Sequence, residues 1–160
     1  MTLNVKEKEL AAVGISVAAG CRPCTDYHLK KIADSDASAD EIRKAVADAL
    51  CVKRNAADIM EAHALAEPGQ SQPVDCGCGT GDRSEELVKI SAAYAVNCTE
   101  NLTKHLTAGR ELGINDDEFG EIFELASFIK DKAASHVENL VCAETQQAGP
   151  TLKVVGKSCC

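Results

Sequence analysis

Apolar positions along this chain fall at helical spacing over long stretches. From about Val5 to Ala19 they cover most sides of a helix, which predicts a buried element ended by Gly20. A second helix is predicted from Pro23 to about Ala33, since proline suits a first turn, where its missing N–H would have no partner. Ser38-x-x-Glu41 has the form of a capping box, in which a hydroxyl and a carboxylate satisfy orphan amide donors, and it predicts a long helix from about Ala39 to Ala66. Asn115-x-x-Glu118 opens a counterpart that should reach about Glu144. Strand-leaning sequence is confined to Leu152-Lys-Val-Val155, so the expected fold class is all-α.

The pattern recurs at a constant offset of 77 residues. Glu9-Leu10 matches Glu86-Leu87, Cys21 matches Cys98, His28-Leu29 matches His105-Leu106, and Lys53 matches Lys130. Each half is therefore expected to be the same three-helix unit. The expected organisation is a first repeat over residues 1–66, a Pro/Gly/Cys linker over 67–82, a degenerate second repeat over 83–146, and a flexible tail over 147–160 that ends in Cys159-Cys160.

Composition sharpens this picture. Apolar residues make up 45% of the 160, but aromatics only 3%, a mix suited to helices that pack closely through small side chains. A net charge of −8 and the lack of a basic stripe argue against a nucleic-acid or anionic-membrane surface. No apolar h-region follows the N-terminus and no apolar run reaches transmembrane length, so the expectation is a cytoplasmic protein that does not enter a membrane. Nine cysteines in such a compartment suggest redox chemistry or metal binding rather than a structural disulfide framework.

The densest chemistry is Cys21-Arg-Pro-Cys24, with Glu9 twelve residues before it and His28 four residues after. Two thiols at this spacing can interconvert with a disulfide. An imidazole at i+4 from Cys24 shares its helix face and can take its proton, and a carboxylate can orient that imidazole. The thiols would sit at a helix N-terminus, where unpaired N–H groups favour a thiolate. Glu9 reaches His28 only if the first two helices run antiparallel. A zinc site is the competing reading of the same cluster, with Cys98 or His105 as a further ligand.

Glu9-x11-Cys21-x2-Cys24-x3-His28 resembles the active-site signature of the AhpD-like alkylhydroperoxidases, within the carboxymuconolactone decarboxylase family. Ala18-Ala-Gly-Cys, Tyr27-His-Leu and Ser38-Ala-Asp-Glu-Ile extend the likeness, which with the second copy spans roughly residues 5 to 145. The resemblance implies an all-helical fold of paired units and a trimer or other homo-oligomer. It implies a hydroperoxide or disulfide substrate, no cofactor, and an external dithiol reductant, either a lipoyl group or a thioredoxin-like protein. It makes Cys24 the attacking thiolate, Cys21 the resolving thiol, and His28 with Glu9 the proton relay. The best-studied redox members carry a histidine where this chain has Pro23, and their active motif lies in the C-terminal half.

In the second copy Glu86, Cys98 and His105 persist, but Asn101 replaces the second cysteine, so no local disulfide can form there. A half kept for packing is expected, with acid–base chemistry by Glu86 and His105 as the sharper reading. Cys76, Cys78, Cys159 and Cys160 are candidate soft-metal ligands. Cys51 and Cys142 read as core positions, and His63 and His136 as structural or solvent-facing. The rival functions are a lactone-processing enzyme of the same fold and a soft-metal or metalloid-binding thiol protein.

Overall fold

The computed structural model describes residues 2–66 and 77–147. The described residues form six helices and no strand: α1 (Val5–Ala19), α2 (Arg22–Ile32), α3 (Ala39–Leu65), α4 (Arg83–Ala95), α5 (Thr99–Glu111) and α6 (Asp116–Gln147). The all-α expectation holds. The three helices of the second half begin at, or within one residue of, the positions the 77-residue offset requires. Most of the linker and all of the expected tail after Gln147, with Cys76, Cys159 and Cys160, lie outside the described residues; Gln147 itself ends α6.

Local chemistry sets the helix starts. The Ser38–Glu41 box forms, with Glu41 N–H donating to Ser38 Oγ and Ser38 N–H donating to Glu41 Oε2. The Asn115–Glu118 box forms in the same way. A third box, Asn4–Glu7, starts α1. The capping glutamates also tie helices together. Lys6 on α1 pairs with Glu41 at 2.9 Å, and Arg83, at the equivalent place on α4, pairs with Glu118 at 2.6 Å.

α1 and α4 pack against one another at the centre of the molecule, and both are largely buried. Gly14 makes their close approach possible, since a Cβ there would stand 2.8 Å from Val88 Cγ1. Each central helix packs on the third helix of its own repeat and on that of the other: α1 touches α3 and α6, and α4 touches α6 and α3. The main apolar cluster accordingly draws on both halves, with Leu10, Val13, Ile32, Val52, Val88 and Ile129 among its members. This crossed packing lets α6, from the second repeat, reach the thiols of the first.

One element departs from expectation. Cys51 on α3 forms a disulfide with Cys78, which is 4% exposed and packs into the main cluster. A structural crosslink therefore joins the end of the linker to α3, where none was expected. The thiol proposed as a soft-metal ligand at position 78 is committed to sulfur instead.

Candidate functional site

The turn between α1 and α2 builds the site. Gly20 takes a left-handed conformation (φ 73°), closing α1 and reversing the chain within one residue. Cys21 then serves as the N-cap of α2, its Sγ accepting the Cys24 N–H at 3.2 Å, while Pro23 occupies the first turn. The reversal runs α2 back along α1, so Glu9 meets His28 across the hairpin, as the antiparallel reading required.

Cys21 and Cys24 are joined as a disulfide, with Cα atoms 5.3 Å apart. His28 Nδ1 lies 3.1 Å from Glu9 Oε2, and Glu9 Oε1 pairs with Lys31 Nζ at 3.1 Å. The hydrogen bond to Glu9, reinforced by its charge, raises the Lys31 pKa. With Nδ1 held by the carboxylate, Nε2 is the nitrogen left for proton exchange. Tyr27 packs edge-on against the His28 ring. Cys21, Cys24, His28 and Glu9 are all buried, with 6–8% exposure, so the centre is screened yet reachable.

Access comes through a cleft of about 750 Å³ between the α1–α2 hairpin and α6. Glu9, Cys24 and His28 line it from the hairpin; Leu125, Phe128, Ile129 and His136 line it from α6. Lysines 8, 31 and 132 also border it. His136, read from the sequence as structural or solvent-facing, thus faces the dithiol. One of its ring nitrogens and the two sulfurs lie within 4.8 Å of one another.

The second copy keeps the same skeleton, sealed. Glu86 Oε2 lies 2.7 Å from His105 Nδ1, and Glu86 Oε1 accepts from Gly81 N–H at 2.8 Å and from Lys89 Nζ at 3.1 Å. Glu86, His105 and Asn101 are 0% exposed. Burial alone would push the Glu86 carboxyl up. The hydrogen bonds from His105, Gly81 and Lys89 outweigh that and hold it below its ordinary value. Asn101 donates to Cys98 Sγ and to Val52 O, and Cys98 is a free, buried thiol. The lysine positions differ between the copies: Lys31 stands at the mouth of the first site, whereas Lys89 is enclosed in the second.

Fold and site together define a helical protein of two crossed repeats, with the Cys21–Cys24 disulfide in one of them. Residues 2–67 match the model of the carboxymuconolactone decarboxylase family. The matched span contains α1, α2, α3 and all of Glu9, Cys21, Cys24 and His28, so the resemblance carried by those residues is borne out there. No curated protein and no solved structure matches the chain. Among the described residues, no helix is long and apolar enough to cross a membrane.

Proposed function

We propose that this chain is a thiol–disulfide oxidoreductase that reduces organic hydroperoxides and is recycled by an external dithiol. One observation carries the reading: a Cys21–Cys24 disulfide beside a Glu9–His28 pair on an open cleft. Cys24, which lines the cleft, attacks the terminal peroxide oxygen as thiolate. The O–O bond breaks, the alkoxide takes a proton from His28 and leaves as alcohol, and Cys24 becomes a sulfenic acid. The Cys21 thiol displaces that hydroxyl as water and closes the disulfide. An external dithiol reopens it by exchange and leaves as its own disulfide. Pro23, Tyr27, Leu125, Phe128 and Ile129 give the cleft an apolar lining that favours an organic hydroperoxide over hydrogen peroxide.

The test is thiol mapping of the fully reduced protein before and after one equivalent of cumene hydroperoxide. The expected first product is the Cys21–Cys24 disulfide. If both remain free thiols while other cysteines oxidise, the reading fails. Replacing His28 with Ala should lower kcat/KM for the hydroperoxide by roughly 10²–10⁴, the usual worth of a positioned acid–base group.

Exposed apolar surface supports assembly into an oligomer. Met60 and Leu65 on α3, and Val137 and Leu140 on α6, are each more than 60% exposed. Apolar side chains left exposed on both third helices favour burial against other copies. The family resemblance makes a homotrimer the expected state, and sedimentation velocity at micromolar concentration checks it; a stable monomer would contradict it.

A further inference from the structure

The dithiol chemistry leaves one neighbouring group unused, the imidazole of His136. It belongs to the second repeat, yet crossed packing brings a ring nitrogen within 4.8 Å of both Cys21 Sγ and Cys24 Sγ. The two sulfurs are buried and the imidazole is exposed on the cleft wall. Three donors of this kind converge from two sides, with the cleft open beyond them.

The internal repeat supplies an independent comparison. The 77-residue offset relates Cys21 to Cys98, Cys24 to Asn101, and His136 to Ile59. Ile59 does pack with Cys98 in the second site. An apolar side chain therefore satisfies the packing at this position. The imidazole stands where both thiols are present, and isoleucine stands where one thiol has become an amide. Donors acting as a set would be kept or lost together in this way.

We propose that the reduced protein binds Zn²⁺ through Cys21, Cys24 and His136, and that the disulfide abolishes the site. Two thiolates and a neutral imidazole suit zinc and disfavour hard cations such as Mg²⁺ or Ca²⁺. Three protein ligands leave the fourth tetrahedral position for water from the cleft. The turn already holds the two residues together, Cys21 Sγ accepting the Cys24 N–H at the start of α2. A dithiol such as dithiothreitol reduces the disulfide and is itself oxidised to a cyclic disulfide. Zinc then displaces one proton from each thiol, and its two positive charges balance the two thiolates. Metal and disulfide exclude each other, so zinc withholds the pair from oxidation until it is removed.

Any reduced cysteine thiolate is a potential zinc ligand, so the test reads the two sulfurs individually. The full chain is reduced with dithiothreitol, desalted without oxygen, titrated with Zn²⁺ and pulsed with iodoacetamide, and alkylation is quantified by mass spectrometry at Cys21 and Cys24. Zinc should protect both in the wild type. His136→Ala should require roughly 100-fold more zinc for the same protection, at least the loss that removal of a supporting ligand partner causes. His136→Cys, which restores a ligand, should recover it. The His136→Cys arm and far-UV circular dichroism of each variant separate ligand loss from misfolding. Equal protection in wild type and a folded His136→Ala variant, or protection confined to cysteines other than 21 and 24, would overturn the proposal. Because no peroxide is present, failure here is distinct from failure of the oxidoreductase reading.

Discussion

Replacing Cys24 with Ser should reduce hydroperoxide consumption to the uncatalysed background, whereas replacing Cys21 with Ser should leave one round of reaction intact and stop there. The difference follows from position. Cys24 lies on the cleft in the first turn of α2, with His28 one turn further along the same face. Cys21 is the cap behind it, its sulfur directed at the Cys24 amide. A serine at position 24 removes the nucleophile and leaves nothing for His28 to activate at neutral pH. A serine at position 21 leaves the nucleophile and removes the thiol that condenses with its sulfenic acid. Dimedone should therefore label Cys24 in the Cys21→Ser variant after one equivalent of hydroperoxide. Label appearing instead on Cys21 in the Cys24→Ser variant would reverse the roles.

Glu86→Gln should cost about 3 kcal/mol of folding stability, the low end for breaking a buried charge pair. For a chain of this size that is a fall in melting temperature of roughly 6–12 °C. His105 and Lys89 lose their shared carboxylate, although Lys89 keeps Gly79 O at 2.9 Å and Glu85 at 3.6 Å. The effect has a defined pH window. The Glu86 carboxyl titrates below its ordinary value in the folded protein. Its contribution is then fully present above the unfolded pKa, near 4.5, and is lost as pH falls through the folded value. The gap between wild type and variant should accordingly be full at pH 7 and shrink below about pH 4.5. Glu9→Gln provides the contrast, since Lys31 is half exposed and the pair is solvent-screened. A loss of about 1 kcal/mol or less is expected there, with the damage appearing in turnover. Thermal melts of both variants across pH 3–8 decide the matter. Equal melting losses would show that the two carboxylates do the same job.

Much of this was readable without coordinates, for physical reasons that differ by residue. Helix starts were legible because capping is local: Ser38 with Glu41 and Asn115 with Glu118 announce themselves within four residues. The Glu9–His28 contact was legible because Gly20 permits one simple reversal, which brings the two helices together. His136 was not, because it comes from the far end of the other repeat and no local spacing links it to Cys24. The offset that pairs it with Ile59 was the one available signal, and it becomes informative once crossed packing is known. The Cys51–Cys78 crosslink was equally silent, since a pairing across 27 residues depends on where the linker returns to α3. Lys89 was missed because its equivalent in the first repeat is Ala12, so the buried cation has no counterpart to compare.

The sharing of third helices between the repeats unties chemical constraint from sequence neighbourhood. α6 belongs to the repeat without a thiol pair, yet its side chains from Leu125 to His136 line the cleft beside Cys24. α3 belongs to the repeat that carries the thiol pair, yet its Val52 and Ile59 contact Asn101 and Cys98 of the other. Tolerance to substitution should follow that sharing and not the boundary between the halves. With the Cys51–Cys78 bond reduced, a cut in the linker would part Glu9, Cys21, Cys24 and His28 from the α6 wall of their cleft, so the first fragment should regain full activity only when mixed with the second.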